Sequence, residues 1–229
     1  MEQHRVQKLL SNYGYCSRRK AEEFIEKGRV KVNDKKISLG DKATERDKIY
    51  VDDKLVEAEK KVYLMFNKPL NCVTALKDPV FDTVMDHIDI DERVFPVGRL
   101  DYNTSGLLIL TNDGDFANRI MHPRYETKKT YLVGLRGNIP DEKIMQLEEG
   151  VMLKDGKTRP AKVVRTENAL EITIHEGKNR IIRRMFEKID VPIKFLQRIR
   201  IGNLSLGKLK QGKYKFLDKK ELKKLTKRF

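Results

Sequence analysis

Apolar positions along this chain come in short runs whose spacing switches between helical and alternating. Val6, Leu9 and Leu10 recur at helical spacing and stop at Gly14, which predicts a first helix. Ala21, Phe24 and Ile25 give a second helix one apolar face. Ser17 precedes it as an N-cap whose hydroxyl can accept from an orphan backbone N–H, and Gly28 can close it. Val30, Lys31 and Val32 alternate like a strand, Asn33 and Asp34 signal a turn, and Ile49-Tyr50-Val51 reads as a second short strand. The polar residues 57–61 read as a linker. Further on, residues 62–66 (closed by Lys68 and Pro69), 107–110, 131–133 and 170–174 are strand-like, and 116–121, 141–148 and 180–188 are helical candidates. Strands and helices are interspersed with no βαβα rhythm. That pattern predicts an α+β fold with a mixed, mostly antiparallel sheet flanked by helices.

Charge narrows the picture. The 229 residues carry 49 Lys+Arg against 34 Asp+Glu, a formal net charge of +15, and 36% of them are charged, against ~25% in a typical soluble chain. Such an excess suits a polyanionic partner, because each cation placed on a phosphate releases condensed counterion. A membrane surface fits less well: the lysine-rich stretch 208–228 has few bulky apolar residues, and no apolar run approaches a membrane span. That stretch can be a solvated helix face or an RNA contact. The first residues show no secretory signal, and the two cysteines, Cys16 and Cys72, have no CxxC spacing and no clustered histidines. The expected compartment is the reducing cytoplasm, with no metal site and no disulfide.

Arg18, Arg19 and Lys20 fall in the first turn of the second helix, where cations oppose the helix dipole. The placement becomes favourable if an anion sits there and takes both the free N–H groups and the guanidinium forks. Residues 15–22 (Tyr-Cys-Ser-Arg-Arg-Lys-Ala-Glu) followed by 28–33 (Gly-Arg-Val-Lys-Val-Asn) resemble the S4 RNA-binding domain, a small helical motif with short strands. The resemblance implies phosphate contacts from Ser17, Arg18, Arg19 and Lys20, with Arg29 and Lys31 as weaker candidates.

The most informative stretch is Gly98-Arg99-Leu100-Asp101-Tyr102-Asn103-Thr104-Ser105-Gly106 running into Leu107 and Leu108. By composition alone Asp101 is an ordinary turn residue before a strand. Gly-Arg-Leu-Asp followed by Thr-Ser-Gly-Leu-Leu resembles the active-site motif of ribosomal RNA pseudouridine synthases of the RsuA/RluB type. Three more segments match in order: Phe66-Asn67-Lys68-Pro69, Lys129-Thr130-Tyr131 and residues 176–186, Glu-Gly-Lys-Asn-Arg-Ile-Ile-Arg-Arg-Met-Phe. Asn71 departs from the pattern, which carries glycine there. The resemblance implies a uridine-to-pseudouridine isomerase that needs no cofactor, consistent with a sequence lacking a P-loop or dinucleotide fingerprint. It implies Asp101 as the catalytic carboxylate, attacking ribose or base or removing a proton. Arg183 is implied as the cation that opposes the effect of burial on that acid, and Tyr131 as the ring against the uracil. Arg99 is implied to take the place of the flipped base or to hold a phosphate, with Lys68 and Arg180 as further RNA or active-site contacts.

The expected organisation is an S4 domain over residues 1–60 and a catalytic domain over 61–229, acting as a monomer on structured ribosomal RNA. Residues 118–126 look more like the large-subunit (RluB-like) branch, acting on 23S RNA, than the small-subunit (RsuA-like) branch, acting on 16S RNA. A non-catalytic RNA-binding or ribosome-assembly factor is the rival reading.

Overall fold

The structure is a computed structural model that describes residues 2–167 and 169–226. The chain divides into two compact units: residues 1–62 with 90–94 and 111–115, and the remainder.

The first unit contains β1 (His4–Arg5), α1 (Val6–Asn12), α2 (Arg18–Glu26), β2 (Val30–Val32), β3 (Lys35–Lys36), β4 (Lys42–Ala43), β5 (Ile49–Val51) and β6 (Lys54–Leu55). Its core joins Val6, Leu9 and Leu10 of α1 to Ala21 and Ile25 of α2 and to Val30, Ile49 and Val51 of the strands. Ser17 caps α2 by accepting from the Lys20 N–H at 3.2 Å. Gly28, at φ +65°, ends it: the N–H groups of Gly28 and Arg29 return to the carbonyls of Ile25 and Phe24, the paired bonds of a Schellman closure. β3-β2-β5-β6 form one sheet, and β1 pairs with β4. Both hairpins of the four-stranded sheet turn on two left-handed residues, Asn33-Asp34 and Asp52-Asp53, the backbone of a type I′ turn. The expected linker is in fact pinned. Glu59 N–H bonds the Tyr13 carbonyl, the Asn112 amide accepts from Val62 N–H and donates to the Lys60 carbonyl, and Lys61 reaches the Asn12 carbonyl. Polarity there reflects hydrogen bonding, not freedom.

The second unit carries β7 (Tyr63–Lys68), β8 (Phe95–Val97), β9 (Ser105–Thr111), α3 (Gly114–Met121), β10 (Lys129–Leu135), α4 (Asp141–Glu149), β11 (Met152–Leu153), β12 (Gly156–Lys157), β13 (Lys162–Arg165), β14 (Leu170–Ile174), α5 (Ile181–Lys188), β15 (Ile193–Ile201), β16 (Leu204–Ser205), β17 (Tyr214–Phe216) and α6 (Lys219–Leu225), with short 3-10 turns at Val84–His87 and Pro123–Tyr125. Nine strands make one sheet in the order β13-β14-β10-β15-β9-β7-β17, with β16 on β15 and β8 on β9. β15 runs parallel to β9 and antiparallel to β10, so the sheet is mixed and mostly antiparallel, as the interspersed elements predict.

β9 is buried along its whole length, which is why residues 107–110 read as an unbroken apolar run. One apolar cluster joins α5 to β10 and β14 through Ile182, Met185, Phe186, Val133 and Ile172. A second joins α3 and α6 to β7 and β9 through Phe116, Ile120, Leu222, Met65 and Leu107. The loop before β9, together with residues of β10 and β15, lines one cavity. The lysine-rich tail is ordered as β17 and α6, with Asp218 and Glu221 forming a reciprocal cap at the start of α6 and Leu222 and Leu225 buried. Lys227 and Arg228 of that stretch lie outside the described residues.

Candidate active site

A cavity of about 380 Å³ opens in the second unit. It is lined by Arg99 and Asp101 from the loop before β9, by Lys129 and Tyr131 of β10, by residues 176–182 leading into α5, and by Leu196, Arg198 and Ile201 of β15.

The loop 100–104 that carries Asp101 is held at every carbonyl. Leu100 O accepts from Thr74 Oγ1 at 2.7 Å, Asp101 O from Thr104 N–H at 3.0 Å and Tyr102 O from Asn71 N–H at 3.1 Å. Asn103 O accepts from Arg183 Nη2 at 2.6 Å, and Thr104 O from Lys68 Nζ at 3.1 Å. Asn71, the departure from the expected glycine, sits at φ +57°, a left-handed conformation that glycine favours and asparagine tolerates. With the backbone satisfied, the Asp101 carboxylate is left with no hydrogen bond or ion pair among the described residues. It is half-buried in the cavity wall. Five donors, from residues 68–74, from the loop itself and from α5, thus fix an acid whose own oxygens are open to a ligand.

Tyr131 projects from β10 into the same cavity, half-buried, its hydroxyl without a partner among the described residues. Arg183, expected beside Asp101, does not line the cavity and makes no ion pair with the carboxylate. It meets the Asp101 loop through the Asn103 carbonyl and, at 3.5 Å, the Thr104 hydroxyl. Burial and the nearby Arg180 push its guanidinium below the ordinary value, while the Asp101 charge pulls it up. Arg183 therefore acts on Asp101 through space and through the loop backbone.

Lys68, expected as an RNA or active-site contact, needs correcting in its RNA half: its side chain is fully buried, donating to the carbonyls of Pro69 at 2.9 Å and of Thr104, in the Asp101 loop, at 3.1 Å. No phosphate can reach it. Burial pushes its amine down to about 8, against the opposing pull of Cys72 and Asp101. Arg99 and Arg180 are exposed at the cavity mouth. Arg180 occupies the left-handed N-cap of α5 and lies 3.6 Å from Glu187, and Arg99 has no partner among the described residues.

Two cavity residues escaped the reading of the sequence. Lys129 is pushed down to about 8 by burial and by the charge of Arg198. Arg198 is 3% exposed, donates from Nε to the Leu107 carbonyl at 2.7 Å, and leaves Nη2 buried without a partner. Lys129 stood inside a quoted motif. Arg198 gave no signal, because basic residues in this chain are common and usually exposed.

In the first unit, Arg18 and Arg19 stand exposed at the start of α2 with no ion pair among the described residues, and the first turn holds no acid. Lys20 pairs with Glu23 at 2.7 Å and lies over the Phe24 ring. Arg29 is taken up by Asp52, its Nε at 2.7 Å and its Nη2 closer, with the guanidinium 4.4 Å from the Phe24 centroid. Lys31 likewise pairs with Asp53. Of the six candidates here, the two adjacent arginines keep their charge unopposed.

The sequence profile described as RNA pseudouridylate synthase matches residues 62–188, and the S4 domain profile matches residues 4–49. The chain is 43% identical to the ribosomal large subunit pseudouridine synthase B of Bacillus subtilis (strain 168), across 96% of this chain and 95% of that protein. It is 37% identical to the dual-specificity RNA pseudouridine synthase RluF of Escherichia coli (strain K12), across 95% of this chain and 77% of that protein. A crystal structure of a pseudouridylate synthase is similar with a TM-score of 0.73 at 31% identity, covering 97% of this chain and 99% of that one.

Proposed function

The chain belongs to the RNA pseudouridylate synthase family, and on that premise we propose that it isomerises one uridine of large-subunit ribosomal RNA, in the cytoplasm and as a monomer. The large-subunit target rests on the B. subtilis relative, which is named for that substrate. No helix among the described residues is long and apolar enough to cross a membrane.

Pseudouridine formation breaks the N1–C1′ bond of uridine, turns the base and joins C5 to C1′. Each step needs the base outside its stack and a carboxylate within reach. Asp101 is that carboxylate. One observation carries the reading: its oxygens are unpartnered in a cavity while every carbonyl of its loop is held, so the acid is positioned before substrate arrives. Tyr131 supplies the planar surface for the extruded base, and its free hydroxyl can exchange a proton there. Arg183 places a positive charge near Asp101 while clamping Asn103. Arg99 and Arg180, exposed at the mouth, receive the phosphates flanking the flipped nucleotide. The arginines at the start of α2 hold RNA phosphates, with Ser17 and Lys20 as neighbours; Arg29, already paired, contributes less.

The test is Asp101→Asn, which keeps the shape of the loop residue and removes its charge. Tritium release from C5-labelled large-subunit ribosomal RNA should fall by at least about 10³-fold, with RNA affinity within twofold. Retained release, or equal loss of affinity, would refute the assignment.

A further inference from the structure

Among the described residues that line this cavity, Arg198 is the one with a buried side-chain nitrogen that has no partner. A guanidinium carries five N–H donors, and leaving one of its nitrogens buried without an acceptor costs stability. Here Nε is satisfied by Leu107 while Nη2 is not, and the residue lines the cavity that holds Asp101 and Tyr131. Its orientation is built into the sheet. β10 and β15 pair with a shift between Thr130 and Tyr131: Thr130 faces Arg200, but Tyr131 faces Arg198, so Ile199 is an extra residue in β15. Such a bulge re-aims the side chains on either side of it. Without it Tyr131 would face Ile199; with it Leu196, Arg198 and Ile201 all reach the cavity. Directly opposed residues in an antiparallel pair share a face, so Arg198 and Tyr131 stand side by side.

We infer that Arg198 is a further catalytic residue, whose guanidinium, at the cavity wall, donates to an exocyclic oxygen of the extruded uracil. The inference rests on the activity proposed above. When N1–C1′ breaks, the electron pair of that bond stays on the base, shared by N1, O2 and O4. C1′ is left electron-poor beside the Asp101 carboxylate; the base turns, a pair at C5 forms the new bond to C1′, the C5 proton passes to a base in the site or to water, and N1 takes up a proton, so the product is an isomer of the substrate. The base is therefore most negative while detached, and a fixed, water-excluded donor on O2 or O4 stabilises that state more than the neutral uridine. Burial and the Leu107 bond hold Arg198 in place beforehand. Lys129, also on the cavity and within the field of Arg198, adds a second donor to the same wall.

The test combines Arg198→Lys with altered substrates. Large-subunit ribosomal RNA transcripts are made with uridine, 2-thiouridine or 4-thiouridine, and product nucleosides are separated after single-turnover reaction. Arg198→Lys keeps the charge and loses the fork. It should react about 10²-fold more slowly with RNA affinity within twofold. The wild type should be slowed at least about tenfold by sulfur, a weaker acceptor, at one of the two positions, and in the variant that penalty should shrink to about twofold or less. A folded variant within threefold of the wild-type rate, or one with the same sulfur penalty, overturns the assignment. If the variant fails to fold, the wild type decides: a penalty below twofold at both positions overturns it, and a tenfold penalty at one supports it. A wild type that modifies no transcript, although it binds RNA, refutes the parent reading and this one with it. Loss of rate in Arg198→Lys alone leaves the parent reading intact.

Discussion

Lys68 shows how one residue can serve a site it never touches. Its amine sits behind the Asp101 loop, donating to Thr104 O and Pro69 O from a fully buried position. Lys68→Met leaves both carbonyls without that donor and should cost about 2 kcal/mol, measured by urea unfolding at pH 7. The pH dependence has a definite sign. The folded amine titrates at about 8 and the unfolded one near its ordinary 10.5. Between those values the unfolded chain holds more protons, so stability rises with pH. The stability of the wild type relative to Lys68→Met should therefore increase from pH 8 to pH 10; a flat difference would show that the amine is not buried as described. Lys68 and Asn71 illustrate what was legible at this scale. The Lys-Pro motif and the odd asparagine could be marked in the sequence, but a charged residue followed by proline reads as a surface turn. Only the fold shows that the lysine points inward and that the asparagine supplies a left-handed backbone.

Among the elements that the sequence conceals, β15 is the longest. Lys194, Gln197, Arg198 and Arg200 interrupt its apolar residues, and the bulge at Ile199 shifts the alternation by one, so no period of two runs its length. β9, Ser17 with α2, and α5 were readable because a continuous apolar run, a cap and a helical stripe are local signals. The parallel seam between β15 and β9 depends on Gly106, at φ +110°, where an added Cβ would stand 2.2 Å from the Arg198 carbonyl oxygen. Gly106→Ala meets both a steric clash with backbone and an unfavourable φ. It should destabilise by roughly 3 kcal/mol or more, seen as a lower Tm, and should lower activity together with stability because the seam carries Arg198. A variant of wild-type Tm would mean the seam is looser than described.

For the whole molecule, the net charge of +15 predicts salt-sensitive RNA binding, and the first unit offers two arginines with no ion-pair partner among the described residues. Replacing Arg18 and Arg19 together by alanine should weaken binding across RNA sequences and flatten the slope of log affinity against log salt by about two. Single-turnover chemistry at saturating RNA should change little. An unchanged slope would move the phosphate contact elsewhere, and Arg29→Ala, which removes a cation already paired with Asp52, should have the smaller effect. The sequence by itself determined the α+β class, the basic surface, the S4 motif and the order of the segments around Asp101, because period, capping, charge and motif are properties of neighbours along the chain. Tertiary structure alone decided which cations face inward, where Arg183 lands, and that Arg198 stands beside Tyr131. Those outcomes depend on register between strands that lie some 65 residues apart in sequence, where a single bulged residue reverses which side chain enters the cavity.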